Sequence, residues 1–205
     1  MTGPAFILGN GPTLPVGALG LLRGQFTIGV NRILRSGFVP TVILWIDSSV
    51  YQDDGDEIDA SGAVLVCDSS VARNPLHHGL ETWVGDAAIR RASTPTTLVC
   101  CGNSGCCAAR WALALKCRPV YLLGMDAEYS GEKTSFYGSN PWHVEGTLRQ
   151  MKQELDRLRR DFPREVRVVT HAEALARIVA GLPTVRTQEL RRHLRALLRK
   201  VTHGT

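Results

Sequence analysis

Short, almost wholly apolar segments recur along the chain, and each is followed by glycine or a polar residue. Apolar runs without alternating polar residues are typical of strands that are buried on both faces of a parallel sheet. Segments with helical periodicity lie between them, for example residues 104–117 and 144–161. Strands that alternate with helices predict a doubly wound, mostly parallel α/β sheet with helices on both faces. The predicted strands are residues 4–9, 25–31, 41–47, 62–68, 96–102, 119–126 and 165–170.

The length and the hydrophobic content of the chain favour one core. Its 205 residues are 44% hydrophobic, which is enough for a single sizeable domain. We predict that residues 1–182 form this domain and that residues 183–205 form a basic C-terminal helix. No apolar run approaches the roughly 20 residues that span a bilayer, and no positively charged segment precedes the first apolar run. The expected location is therefore the cytoplasm.

Two clusters of residues have side chains that can ligate a metal. Cys100, Cys101, Cys106 and Cys107 flank a short turn, but there is no C-x-x-C pair and His and Cys lack finger-like spacing. Buried, reduced thiols are the interpretation that we favour. The acidic run DDGDEID at residues 53–59 favours a solvated face over a cation site, since no clear Asp-x-Asp pair ends a predicted strand. We predict that the protein needs no metal.

The first predicted strand runs into a tight polar turn, in the sequence FILGNGPTL at residues 6–14. The turn matches neither the G-x-G-x-x-G dinucleotide motif nor the Walker motif. Its glycines nevertheless allow a close approach of the backbone, and the N-terminus of a following helix attracts an anion. Either the turn is only structural, or Gly9, Gly11 and the Thr13 hydroxyl hold a phosphate.

A second turn, CGNSGC at residues 101–106, repeats this design. Ser104 is predicted to cap the helix that follows, with the backbone N–H groups of the first helical turn pointing outward. Ligands of open α/β sheets bind beyond the carboxyl ends of the strands. Since both turns follow predicted strands, they are expected to lie on one rim and to bind one phosphate region together. Asn31, Asp47 and Asp126 end strands and are expected on the same rim.

Residues 127–142 form a polar, glycine-rich and aromatic segment, AEYSGEKTSFYGSNPW. A loop of this length is unusual in a compact domain, and it predicts a lid over the ligand site rather than a plain connection. His143 follows the lid directly. An imidazole takes up a proton near neutral pH, so His143 is a candidate general base.

Five motifs follow one another along the chain: FILGNGPTL at 6–14, GVN at 29–31, NSG at 103–105, VYLLGMDAEYS at 120–130, and a polar loop that ends at a His. In this order they resemble motifs of the bacterial lipooligosaccharide sialyltransferases. They also resemble a wider set of sheet proteins with a GxGPSL start, including pterin diphosphokinase-like members. The resemblance spans roughly residues 5–160 and implies a Rossmann-like, single-domain fold of the GT-A-like kind.

The resemblance implies a site for a CMP-sugar donor and a catalytic base. His143 matches the family's base, and Asp126 is the next candidate for that role. Asp47 stands where the family has an Asn near the donor, and its carboxylate would repel a sugar phosphate unless it binds a ribose or acceptor hydroxyl. The residues implied to bind the nucleotide are Asn10, Gly11, Thr13, Asn31, Ser104 and Gly105, with Tyr129 and Tyr137 aligned loosely.

Three functions compete at this point. The first is a glycosyltransferase that moves a sugar from a CMP- or UDP-type donor to an anionic glycan, lipid-linked or DNA acceptor, without cofactor or metal. The second is a magnesium-dependent diphosphokinase of a small heterocycle, with Asp47 and Asp126 as its acidic residues. The third is a nucleotide-binding module without catalysis.

The C-terminal part of the chain is strongly basic. Residues 146–205 contain 14 Lys and Arg against 6 Asp and Glu, whereas residues 1–145 have a balance of −3. Within TQELRRHLRALLRK at 187–200, a leucine stripe is surrounded by arginines. The stripe predicts a helix over 186–201 that docks on the core, lies on a membrane surface, or contacts the phosphates of a polyanionic acceptor. Removal of residues 186–205 is expected to leave the fold intact.

Overall fold

The sheet contains eight strands, all parallel, in the order β6-β5-β4-β3-β2-β1-β7-β8. The structure is a computed structural model, and it describes residues 3–84, 94–100, 102–126, 134–138, 145–184 and 187–202. The strands are β1 (Ala5–Leu8), β2 (Thr27–Val30), β3 (Val42–Trp45), β4 (Val64–Asp68), β5 (His77–Val84), β6 (Thr97–Cys100), β7 (Val120–Leu123) and β8 (Val166–Val169).

Helices cover both faces of this sheet, which confirms the predicted doubly wound α/β fold. The helices are α1 (Ser48–Ala60), α2 (Ser104–Ala114), α3 (Glu145–Asp161), α4 (Ala172–Ala180) and α5 (Thr187–Thr202), and the described 3-10 helices are Val16–Leu22, Ile33–Ser36 and Ser69–Val71. One face packs against α2, α3 and α5, and the other packs against α1, α4 and the 3-10 helix Val16–Leu22. Pro15 and two glycines disfavour a longer α-helix in this last segment.

Strand β1 shows why the strand sequences lack polar residues. Ala5 and Ile7 point into the core under α2, whereas Phe6 and Leu8 point into the core on the opposite face. All four side chains are fully buried. A strand with a core on each side has no solvent-facing position, so the apolar run predicted a central strand correctly.

Strand β5 was missing from the prediction. Its sequence, HHGLETWV, has no apolar run, because part of its buried surface is polar. The His77 side chain is buried, accepts a hydrogen bond from the backbone N–H of Arg73 at 3.0 Å and lies 3.0 Å from the carboxylate of Asp59. The first half of β5 pairs with β4 and the second half pairs with β6.

The acidic run at 53–59 is neutralised in part by other residues of the chain. Asp53 and Asp54 form ion pairs with Arg32 at 2.6 and 3.1 Å, and Asp54 also pairs with Arg35 at 2.7 Å. Within the described ranges, no three His, Cys, Asp or Glu residues are grouped as a metal site would require. The run is therefore a partly exposed face that holds α1 against the segment after β2.

Helix α5 docks on the sheet through its leucines, as one of the three interpretations predicted. Leu194 and Leu198 are 1% and 0% exposed and belong to the main core. Arg191 donates to the carbonyl of Pro40 at 2.8 Å, and Arg195 donates to the carbonyl of Gly62 at 3.0 Å. Two of the helix's arginines therefore hold it on the sheet.

None of the helices in the part of the chain that the structure describes combines the length and the hydrophobicity that a membrane crossing requires.

Candidate functional site

A polar crevice lies beyond the carboxyl ends of the central strands. Strands β1 to β6 lie side by side in chain order toward one edge of the sheet, whereas β7 lies on the other side of β1. The crevice lies at this switch point, where open α/β sheets bind ligands. A small chamber of about 60 Å³ and a large chamber of about 460 Å³ share five lining residues, Asn10, Asn31, Asn103, Ser104 and Met151.

The first polar turn is held tightly against the end of β7. The backbone N–H of Gly9 donates to the carbonyl of Leu123 at 2.8 Å, and that of Gly11 donates to the carbonyl of Gly124 at 2.8 Å. The two N–H groups are therefore paired within the protein and are not available to a phosphate. A Cβ atom at position 9 would lie 2.3 Å from the carbonyl oxygen of Gly124, which explains the glycine at this position.

Replacement of Gly9 by alanine is expected to lower the free energy of unfolding by about 1–3 kcal/mol, because the methyl group would overlap backbone atoms that cannot move aside. Gly17→Ala is the matched control, since a Cβ there meets no atom within 4 Å. Urea denaturation of both variants measures the difference. Equal unfolding free energies for Gly9→Ala and Gly17→Ala would show that the backbone at Gly9 is not packed tightly against Gly124.

Thr13 and Asp126 form a pair at the edge of the crevice. The Thr13 hydroxyl donates to Asp126 Oδ1 at 2.6 Å, and the Thr13 backbone N–H donates to Oδ2 at 3.3 Å. A carboxylate in this position disfavours a phosphate on the same hydroxyl. The nucleotide-binding role of Gly11 and Thr13 and the catalytic role of Asp126 stay predictions.

Two asparagines at strand ends line the crevice and have side-chain acceptors without a partner among the described residues. Asn10 donates its Nδ2 to the carbonyl of Val30 at 3.1 Å, which fixes the amide so that Oδ1 is its free atom. Asn31 has a left-handed backbone with φ of 50°, a conformation that Asn adopts more readily than most residues. Both Oδ1 atoms are buried and have no hydrogen-bond partner among the described residues. An unmet buried acceptor costs about 1–3 kcal/mol, so a ligand that donates to these atoms gains affinity.

The N-terminus of α2 forms another wall of the crevice, but its cap differs from the prediction. Asn103, not Ser104, is the N-cap: its Oδ1 accepts from the N–H groups of Gly105 at 2.9 Å and Cys106 at 3.2 Å. The sequence was ambiguous because Asn and Ser are both preferred caps. Ser104 is instead the first helical residue and lines both chambers.

Gly105 lies directly against β7. A Cβ atom there would lie 2.1 Å from the sulfur of Met125, so any side chain at this position would require the Met125 thioether to move. The partial positive charge of the helix N-terminus consequently lies beside the ends of β1 and β7, where an anion is favoured.

The start of α1 and the segment after β2 line the large chamber. Asp47 occupies the N-cap position of α1, is exposed, and makes no capping hydrogen bond. Burial would lower the pKa of Arg32, but its hydrogen bonds to Asp53 and Asp54 raise that pKa above its ordinary value. Arg32 is therefore charged, and its charge is neutralised by Asp53 and Asp54 in the wall of the large chamber.

A described piece of the predicted lid, residues 134–138, contacts the crevice. The backbone N–H of Phe136 donates to the carbonyl of Asn10 at 3.0 Å. Thr134 lines the small chamber and Tyr137 lines the large one, with the Arg35 guanidinium 5.2 Å from the Tyr137 ring centroid. Tyr129 and His143, two of the predicted site residues, lie outside the described residues.

The structure adds site residues that the sequence did not reveal. Ser48 and Ser49 follow Asp47, and Arg32 follows Asn31, so a wider reading of each strand end would have included them. Thr147 and Met151 come from α3, and only the folded structure brings them to the crevice. The described cysteines are buried, as predicted, and form no disulfide bond with one another: Cys67, Cys100, Cys106, Cys107 and Cys117. Cys101 lies outside the described residues.

The fold is that of a doubly wound α/β protein with a polar crevice at its topological switch point. Among solved structures, the chain is similar to the sialyltransferase CstII from Campylobacter jejuni in complex with the substrate analogue CMP-3FNeuAc. The identity is 12%, the TM-score is 0.40, and the match covers 82% of this chain and 81% of that chain. The CstII complex with cytidine-5'-monophosphate matches at 13% identity and a TM-score of 0.38, over 89% of this chain and 86% of that one.

No protein-family model matches the chain, and no curated protein matches it.

Proposed function

We propose that the chain is a glycosyltransferase that binds a CMP- or UDP-type nucleotide-sugar in the crevice. The main support is the pair of buried, unpaired Oδ1 atoms of Asn10 and Asn31 beside the N-terminus of α2. Acceptors of this kind suit the hydroxyl and amino groups of a nucleoside, and a helix N-terminus suits its phosphate. The sialyltransferase-like motifs of the sequence agree with this assignment.

The phosphate is assigned to Ser104 at the N-terminus of α2, since the N–H groups of Gly105 and Cys106 already donate to the Asn103 cap. The N–H groups of Gly9 and Gly11 already donate to β7, so the first turn has a shaping role. Ser104 supplies a hydroxyl at the positive end of a helix. Tyr137 lines the neighbouring chamber and is proposed to support the leaving phosphate.

The proposed reaction is an inverting transfer without metal. A general base, assigned to His143, takes the proton of an acceptor hydroxyl, and the acceptor oxygen then attacks the anomeric carbon of the sugar. The bond from this carbon to the phosphate oxygen breaks, and the nucleotide leaves with the electron pair. Hydroxyl groups and the helix N-terminus would stabilise the departing phosphate, which is the usual electrostatic contribution of a preorganised site.

Thermal stability in the presence of nucleotides tests this function. CMP or UDP is expected to raise the melting temperature of the protein without magnesium, because a ligand that binds only the folded state stabilises it. Stabilisation only by ATP with magnesium would instead support the diphosphokinase alternative. If CMP or UDP binds but a donor-consumption assay detects no sugar transfer to any acceptor, the result would support the third alternative, a nucleotide-binding module without catalysis.

The site assignment itself is tested by two variants. Asn10→Ala and Ser104→Ala are each expected to weaken nucleotide binding by about 1–3 kcal/mol, since each leaves a polar group of the ligand unpaired. Ser69→Ala, an exposed serine outside both chambers, is the control. Calorimetric titration gives the affinities, and unchanged affinity in both test variants would remove the nucleotide from this crevice.

A further inference from the structure

Three side chains that line the large chamber have acceptor oxygens without a hydrogen-bond partner among the described residues. The Oδ1 atoms of Asn10 and Asn31 are buried without partners. The Asp47 carboxylate makes no hydrogen bond to any residue that the structure describes, although it stands at the start of a helix. A ligand that matches this wall has to bring donors, such as hydroxyl groups.

The described lining of the chamber is also negative on balance. Among these residues, only Arg32 and Asp47 carry a formal charge. Arg32 is paired with Asp53 and Asp54, and Asp54 is shared with Arg35. The charges of Arg32 and Arg35 thus balance those of Asp53 and Asp54. The negative charge of Asp47 is not balanced within this network.

Helix termini cancel this charge only in part. The N-terminus of α1, where Asp47 stands, contributes about half a positive elementary charge, and the carboxylate contributes a full negative one. The N-terminus of α2 also lines the chamber through Asn103 and Ser104, and its partial charge is assigned to the phosphate of the ligand. The wall around Asp47 therefore repels a second anionic group of the ligand.

We infer that the large chamber takes an uncharged, hydroxyl-rich sugar and that Asp47 excludes donors whose sugar bears a carboxylate. The inference rests on the proposed function, since it assumes a nucleotide-sugar in the crevice. Asp47 accepts hydrogen bonds from sugar hydroxyls and sets the specificity of the site. This sugar class differs from the acidic sugar that a sialyltransferase transfers.

Matched donors separate charge from shape. UDP-glucose and UDP-glucuronate are such a pair, since they differ only in a CH₂OH group against a carboxylate. CMP and CMP-N-acetylneuraminate differ by a whole sugar, so their comparison tests only whether an acidic sugar is tolerated. We expect the protein to bind the uncharged member, or CMP alone, at least about tenfold more tightly by calorimetry, the scale of a like-charge contact in a partly solvated site. Asp47→Asn is expected to reduce this preference to less than about threefold.

The control is Glu57→Gln, which removes one exposed charge from the same helix at a position outside the chamber. It is expected to keep the full preference. Equal or tighter binding of the carboxylate-bearing donor by the unmodified protein overturns the inference, and so does an unchanged preference in Asp47→Asn. In both cases nucleotide binding persists and the proposed function stands; failure of every nucleotide and nucleotide-sugar to bind ends both proposals.

Discussion

A chain that ends at Pro183 is expected to be unfolded at room temperature. Leu194 and Leu198 of α5 are fully buried in the main core, so truncation exposes part of the sheet to water. Truncation of a buried leucine to alanine costs about 2–5 kcal/mol. Loss of two such side chains removes most of the 5–15 kcal/mol that stabilises a typical domain. Circular dichroism of the truncated chain checks this result.

Point variants test the packing of individual leucines of α5 without removing the helix. Leu194→Ala and Leu198→Ala are each expected to lower the unfolding free energy by about 2–5 kcal/mol. Leu197→Ala, at a position that is 39% exposed, is expected to cost less than about 1 kcal/mol. A truncated chain with an unchanged melting curve would contradict the docking of α5 and restore the expectation that the fold survives without residues 186–205.

The docking of α5 also limits how it can contact a polyanion. Arg191 and Arg195 donate to backbone carbonyls of the sheet, whereas Arg192 and Arg199 are exposed. Binding to an anionic acceptor through this helix therefore depends on the exposed pair. Substitution of these two residues tests acceptor binding without disturbing the core.

The strand pattern was predictable because burial on both faces of a parallel sheet leaves only apolar residues in the sequence. Strand β5 was not, because His77 is buried by a hydrogen bond to Asp59, 18 positions away, and by edge-on contacts with the rings of Trp45 and Tyr51, which lie in other segments. The ion pairs of Arg32 with Asp53 and Asp54 are similarly invisible, since they link segments about 20 residues apart.

The site was predictable at the level of strand ends. Polar residues that end parallel strands meet on one rim of the sheet, so the sequence predicts that they share a site. The crevice contains four residues predicted in this way, Asn10, Asn31, Asp47 and Ser104. What each backbone group does there depends on tertiary contact. The N–H of Gly11 donates to β7 instead of facing a ligand, and no local signal in the turn distinguishes these two uses.

Replacement of His143 by alanine is expected to lower the turnover rate by about 10²–10⁴-fold, the usual contribution of a positioned general base. Nucleotide affinity should stay the same, because the base contacts the acceptor and not the nucleotide. His143 precedes α3 by two residues, and Thr147 and Met151 of α3 line the large chamber. Its imidazole must be neutral to accept a proton, so the rate should fall as the pH drops through the range in which imidazole protonates.

His193→Ala provides the matched control for this change. His193 is an exposed histidine of α5 outside both chambers, so its loss is expected to leave turnover and its pH dependence unchanged. Steady-state rates at several pH values and nucleotide titrations of both variants give the result. Near-normal turnover in His143→Ala would exclude His143 as the base and transfer the role to Asp126. A loss of nucleotide affinity with little change in turnover would instead place His143 on the donor, because an interaction made alike before and during reaction changes binding and not the chemical step.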